Sequence, residues 1–450
     1  MKRIIIAGTH SGCGKTTVTC AVLAALKARG MNVASFKCGP DYIDPMFHRE
    51  IIGVPLHNLD SFFCDDDTLN YLLHEHTQNA DIAVIEGVMG FYDGVDGRGS
   101  AYSLSQITNT PAVAVIDCRG MSDSIGAIIR GFLEYKRPNS IVGFIFNRLP
   151  ERLVSLAQKL CDELGTQYLG CLPKTDITIE SRHLGLVTVS EIEDIKQKLT
   201  RLGELAEKHI CLDKIIGISV PELIGYNAPA FPPKPVNPPV IAVAKDRAFC
   251  FIYEDNIELM KKLGCEIQYF SPLEDKKIPE NADGLYLCGG YPELYADKLS
   301  ANEELLADIR EEITRGLPTI AECGGFMYLH DTFTDMEGNE FNGAGVIRGR
   351  AFVTDKLQRF GYVTLTAGTD NLICKANEKI KAHEFHYFDS TDCGSDMTAR
   401  KYDGREWKCI HANSALYAGF PHLYFYSDIK IAERFVSVCI NHKEKNGQNN

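Results

Sequence analysis

The chain has 450 residues, 45% hydrophobic and 24% charged, more than one core normally serves, so two domains are expected and three are allowed. A formal charge of −13 argues against a nucleic-acid partner, because phosphate recognition needs concentrated Lys and Arg. The apolar runs are strand-sized with polar interruptions, which excludes a membrane span, and Met1–Gly8 is too short for a signal peptide, so a cytoplasmic protein is expected. The sixteen cysteines then read as reduced, mostly buried thiols, and no Cys-x-x-Cys pair points to a structural metal.

From Lys2 to Pro173, short apolar runs alternate with helical patterns. Arg3–Ala7, Val33–Phe36, Ile82–Ile85, Ala112–Ile116 and Ile141–Phe146 are β-branched on both faces, as in the parallel sheet of an α/β domain. Seven prolines fall between Pro221 and Pro239, a stretch that can neither pair in a sheet nor continue a helix. A second α/β series begins at Val240–Ala244, with a helix near Asn256–Leu263, a strand at Leu285–Leu287, a helix near Glu303–Arg315 and a strand at 317–321. The expected division is therefore a domain at 1–220, a linker at 221–239, a domain at 240–440 and a frayed polar tail at 441–450.

Three clusters lie just past strand ends of the first half, where open α/β sheets bind ligands. The first is Gly8-Thr9-His10-Ser11-Gly12-Cys13-Gly14-Lys15-Thr16-Thr17, leading into an apolar-periodic helix. Its backbone N–H groups and Lys15 suit a triphosphate such as ATP, and the Thr16 hydroxyl suits the accompanying Mg2+. Gly12, Gly14, Lys15, Thr16 and Thr17 are the expected nucleotide-binding residues; five residues rather than four separate Gly8 from Gly14, a spacing that resembles the dethiobiotin synthetase-like branch of phosphate-loop proteins. The second cluster runs Lys37–His48 and includes Asp41, Tyr42 and Asp44; the third, Glu86–Gly94, includes Asp93. Carboxylates there can hold magnesium or orient a phosphoryl acceptor, whereas each alone would serve equally well as a turn former.

The second half carries Glu322-Cys323-Gly324-Gly325-Phe326 directly after an apolar run. A cysteine at a strand-to-helix turn flanked by glycines fits covalent acyl chemistry, and its thiol, ordinarily titrating near ~8.5, needs a helix N-terminus or an imidazole. His422, in Phe420-Pro421-His422, is the best-placed base, although an ordinary packed histidine would read the same way. Gly289-Gly290, at another strand end, offers N–H groups for an oxyanion, or a plain turn.

Taken together, these motifs, with Ser181–Leu186, Asp246–Asn256, Gly289–Glu293, Cys323–Tyr328 and Ala382-His383-Glu384-Phe385-His386-Tyr387, resemble the cobyrinate a,c-diamide synthase family over nearly the whole chain. The segment Gly39–Pro45 favours that family over its sister, cobyric acid synthase. The resemblance implies a phosphate-loop parallel-sheet domain followed by a class I glutamine amidotransferase (flavodoxin-like) α/β domain. It implies two ATP- and L-glutamine-dependent amidations of corrin acetate carboxylates, with Cys323 as glutaminase nucleophile, His422 as the residue that raises its nucleophilicity, and Gly290 and Gly324 as oxyanion donors. In the first half it suggests magnesium near Thr16, Asp41 and Glu86, with Tyr42, Asp44 and Asp93 at the acceptor. The chain departs from the family in reading His422-Leu423-Tyr424 where His-Leu-His is usual, and no carboxylate follows His422 to orient it. Nickel sirohydrochlorin or hydrogenobyrinate would serve the same motifs as acceptors. More distant alternatives are a phosphate-loop ATPase switch with a non-catalytic binding module, or an amidotransferase using free ammonia. The sequence leaves the oligomeric state open.

Overall fold

The computed structural model describes residues 2–41, 52–175, 177, 189–219 and 224–448. They form two compact units, Met1–Pro229 and Ala230–Asn450.

The first unit is built on seven strands: β1 (Lys2–Gly8), β2 (Val33–Lys37), β3 (Leu56–Asn58), β4 (Ile82–Gly90), β5 (Ala112–Asp117), β6 (Ile141–Asn147) and β7 (Gln167–Leu172). All pairs are parallel, in the order β3-β2-β4-β1-β5-β6-β7. The centre of the sheet is apolar on both faces because helices cover both, as a parallel sheet requires. Helix α1 (Lys15–Ala28) starts at Gly14, whose φ of 92° only glycine adopts at low cost. It ends where Gly30 N–H meets Lys27 O and Met31 N–H meets Leu26 O, a Schellman closure around a left-handed glycine. Val18, Val22 and Leu26 on α1 pack with Ile4 and Ile6 of β1 and with Leu199, Leu202 and Ala206 of the helix Val189–His209. Gly203 permits the approach: a β-carbon there would lie 3.1 Å from Ala24 Cβ.

The proline-rich segment has no regular secondary structure from 224 to 235. Its first part binds within the first unit, through Tyr226 Oη to His74 Nδ1 at 2.8 Å and Asn227 to Asp67. Its later part belongs to the second unit, where Pro238 O accepts from Lys443 Nζ.

In the second unit five parallel strands run in the order Glu266–Phe270, Val240–Ala244, Gly284–Leu287, Thr319–Glu322 and Leu416–Gly419, with His411–Ala412 antiparallel at the edge. A second sheet is dominated by the antiparallel pair Ile347–Ala367 and Lys379–Ser390, which also pairs with His422–Leu423. The expected polar tail is instead helical: the final helix spans Lys430–Gln448. No proline interrupts it, and Lys443 ties it to Pro238 O and Asp283, so polarity alone did not cause fraying. Of the sixteen cysteines, thirteen are buried. Among the described residues no helix is long and apolar enough to cross a membrane.

Candidate active sites

Three of the nucleotide-site clusters meet at the carboxyl ends of the central strands. The loop after β1 is pinned by Thr9 N–H to Val115 O on β5, by Phe91 N–H to Gly8 O, and by Asn147 Nδ2 to Cys13 O at 2.9 Å. Gly14 has no room for a side chain, since a β-carbon would lie 2.0 Å from Asn147 Nδ2. Gly12 is exposed, whereas Lys15, Thr16 and Thr17 are half-buried at the start of α1.

Thr16 Oγ1 donates to Glu86 Oε1 at 2.6 Å, and Lys37 Nζ reaches the same oxygen at 2.9 Å and Asp41 Oδ2 at 3.5 Å. Glu86 is fully buried and Lys37 only 3% exposed, so the lysine supplies charge compensation that a buried carboxylate requires. Lys37 lay within a motif but had no expected role. The β2–β4 register pairs Lys37 with Glu86, and this long-range pairing is what brings them together. A hydroxyl and two carboxylates are the hard oxygen donors magnesium takes, so Thr16, Asp41 and Glu86 fit the ion by chemistry. Asp93 is exposed and accepts from Gly90 N–H at 2.8 Å, closing the turn beyond β4. Tyr42 and Asp44 lie outside the described residues, as does Ser181–Leu186.

In the second unit Cys323 stands between the strand Thr319–Glu322 and the short helix Gly324–Tyr328 at φ 48°, ψ −102°. A non-glycine residue there costs on the order of 1–3 kcal/mol, and such strain gathers at functional turns. Cys323 N–H donates to Gly419 O and Cys323 O accepts from Met327 N–H, which fix the turn. The neighbouring glycines are required by space. A β-carbon on Gly325 would lie 2.2 Å from Leu287 O, one on Gly324 would lie 2.9 Å from Pro292 Cδ and 3.1 Å from Gly290 N, and one on Gly289 would lie 2.5 Å from His422 Cε1. Cys323, Gly289-Gly290 and His422 thus converge at the carboxyl edge of the sheet.

Burial, and then the field of Glu293, hold the Cys323 thiol well above its ordinary value; the Gly324 N–H pulls it down, while Glu384 and Glu322 raise it further. Burial thus disfavours the thiolate, and a base is needed to form it. His422 is buried, with Nδ1 3.6 Å from Glu322 Oε2. Glu322 is itself held by Tyr286 Oη at 3.1 Å and Leu423 N–H at 3.1 Å. Two positions past His422 stands Tyr424, not a carboxylate that could orient it, but a carboxylate faces it in space, immediately before the cysteine. Sequence reasoning missed this residue because the two lie 100 positions apart; the signal was a carboxylate ending an otherwise apolar strand. Gly290 N faces the cysteine turn from another segment, 3.1 Å from where a Gly324 β-carbon would lie.

Residues 4–187 match the family described as CobQ/CobB/MinD/ParA nucleotide binding domain, and residues 240–429 match the CobB/CobQ-like glutamine amidotransferase domain. Proteins named cobyrinate a,c-diamide synthase are similar over nearly the full length. That of Caldanaerobacter subterraneus subsp. tengcongensis is 37% identical, covering 97% of this chain and 98% of its own. That of Priestia megaterium is 38% identical over 97% of each chain, and that of Thermoplasma volcanium 39% identical over 98% of each. The chain belongs to the cobyrinate a,c-diamide synthase family, with a nucleotide-binding half followed by a glutamine amidotransferase half.

Proposed function

We propose that the protein amidates the a- and c-acetate carboxylates of cobyrinate, using ATP and ammonia drawn from glutamine. The working division is a synthetase part at 1–220, a linker at 221–239 and a glutaminase part at 240–440, acting in the cytoplasm. Cys323 gives its proton to His422, and the sulfur attacks the side-chain amide carbon of glutamine. The C–N bond breaks as His422 returns the proton to the leaving ammonia, and water then cleaves the thioester to glutamate. Gly290 N–H, with Gly324 N–H once it leaves the sulfur, receives the oxyanion. Glu322 steadies the imidazolium while it exists.

In the synthetase part Gly12, Gly14, Lys15, Thr16 and Thr17 hold the triphosphate. Transfer of its terminal phosphoryl group to the substrate carboxylate converts a hydroxide leaving group into phosphate, which ammonia then displaces. Magnesium, held by Thr16, Asp41 and Glu86, would draw charge from the phosphate oxygens. Asp93, with Tyr42 and Asp44, is assigned to the acceptor.

The observation carrying this reading is Cys323 at positive φ, with the His422–Glu322 pair and Gly290 gathered beside it. An electrophilic glutamine analogue, 6-diazo-5-oxonorleucine, tests it. The expected result is one adduct per chain, on the Cys323 peptide, absent from Cys323→Ala; labelling of a different thiol would contradict the assignment.

A further inference from the structure

The segment Ala382–Tyr387 takes no part in the mechanism above, yet one of its residues lies beside His422. On three adjacent antiparallel strands Tyr362 pairs with His383, and His383 pairs with His422. Directly opposed residues present their side chains to one face, with Cβ atoms about 4.5–5.5 Å apart, so His383 is the neighbour of His422 on the face where His422 meets Gly289. A bulge brings a further ring to it. Gln358 pairs with His386 and Gly361 with Glu384, so Arg359 and Phe360 together oppose Phe385. The Phe360 ring centroid lies 5.9 Å from that of His383 and 5.5 Å from that of Phe385, both edge to face, and the Tyr362 ring lies 5.6 Å from His383. Phe360, Phe385 and Tyr387 are exposed, so this aromatic row leads from buried His422 to solvent.

His383 is 6% exposed, and among the described residues its Nδ1 has no hydrogen-bond partner. A buried ring nitrogen without a partner is a cost that a bound ligand relieves. Burial, and then the fields of His422, Lys401 and His386, hold the imidazole down to about 3, so the ring is neutral at neutral pH. In the Nε2–H tautomer Nδ1 is an acceptor with no proton to give. Ammonia is what the reaction leaves at His422, and it must stay unprotonated to attack an acyl phosphate. We infer that His383 receives this ammonia, Nδ1 accepting one ammonia N–H while the nitrogen lone pair stays free, and that Phe360, Tyr362 and Phe385 keep water from it as it leaves across this face. The inference rests on the glutaminase reading above. No bond is made and no proton moves at His383, whose contribution is to the delivery of ammonia.

The test supplies MgATP, cobyrinate, glutamine with heavy nitrogen in its side-chain amide, and unlabelled ammonium in the bath, and reads the label in the amide product by mass. The ratio is taken within the product formed, so slower turnover does not alter it. Wild-type product should carry mostly the heavy label. In His383→Leu the labelled-to-unlabelled ratio should fall by about two- to tenfold, the factor that one hydrogen bond carries, and Phe385→Ser, at an exposed position, should lower it in the same direction. His383→Asn, whose side-chain oxygen can stand near the Nδ1 position, should recover part of the ratio. A wild-type ratio equal to that of the bath, an unchanged ratio in His383→Leu, or, where that variant fails to fold, an unchanged ratio in Phe385→Ser overturns the inference and leaves the glutaminase standing. Failure of the wild-type protein to form any amide from glutamine would overturn both.

Discussion

Glu322 and Cys323 are adjacent in sequence but do different work. The cysteine leaves the strand at a left-handed turn, whereas the glutamate remains in the sheet core and meets the His422 imidazole edge. Such an arrangement gives the histidine a carboxylate partner without one downstream of it. Replacing Glu322 with Gln keeps the volume and removes the charge that would stabilise an imidazolium. Glutamine turnover should fall in kcat by about 100-fold, within the range that a positioned base contributes, while KM for glutamine changes little. Steady-state kinetics check this; a wild-type kcat would show that His422 works as part of a dyad alone.

At the scale of elements, the final helix is secured to the long antiparallel sheet by one ion pair. Arg434 reaches both carboxylate oxygens of Glu378, with Nη2 to Oε1 at 2.9 Å, just before the strand Lys379–Ser390. Arg434, and then the Lys375 N–H, push the Glu378 carboxyl down to about 2. A carboxyl with a depressed folded pKa binds fewer protons folded than unfolded between its ordinary value, near ~4.3, and about 2, so its contribution to stability is present above that window and is lost as pH falls through it. Thermal unfolding midpoints of wild type and Glu378→Gln should therefore differ at neutral pH and converge toward pH 2. A gap that stays constant across the acid range would contradict the assignment, and the pair's exposure keeps the expected gap small.

The same scale explains what the sequence could and could not disclose. The phosphate loop and the cysteine turn were legible because their physics is local: glycines in tight turns, an apolar strand before and a helix after. Five of the seven parallel strands in the first sheet were legible from runs of buried β-branched residues, with their ends placed one to several residues short; β4, for example, continues to Gly90, while β3 and β7 were not read as strands. The long pair Ile347–Ala367 and Lys379–Ser390 was not read as strands, because its faces are half-exposed and its pairing shifts register twice. Lys37 and Glu322 acquire their partners only through register and long-range contact, which no local spacing reports. The histidine-rich segment Ala382–Tyr387 was singled out for resemblance alone; in the structure His383 pairs in register with His422, and Glu384 bonds His386.

Across the whole molecule, two folded units carry two chemistries that are useful only in combination. The first has a Thr16–Glu86–Lys37 cluster beneath a phosphate loop; the second has a buried cysteine at a glycine-flanked turn, with His422 against Gly289. Neither half alone explains the other, since an ATPase switch needs no cysteine nucleophile and a glutaminase needs no phosphate loop. On this reading, ammonia freed at Cys323 is consumed by a carboxylate activated with ATP. The direct measurement is product mass from purified protein with MgATP, glutamine and cobyrinate, repeated with Cys323→Ala and either glutamine or ammonium as donor. Two successive amidations, each replacing a carboxyl hydroxyl with an amino group, lost in the variant with glutamine and restored with ammonium, are the predicted result. Glutamine hydrolysis with no change in the mass of cobyrinate would contradict the acceptor and turn the search to nickel sirohydrochlorin or hydrogenobyrinate.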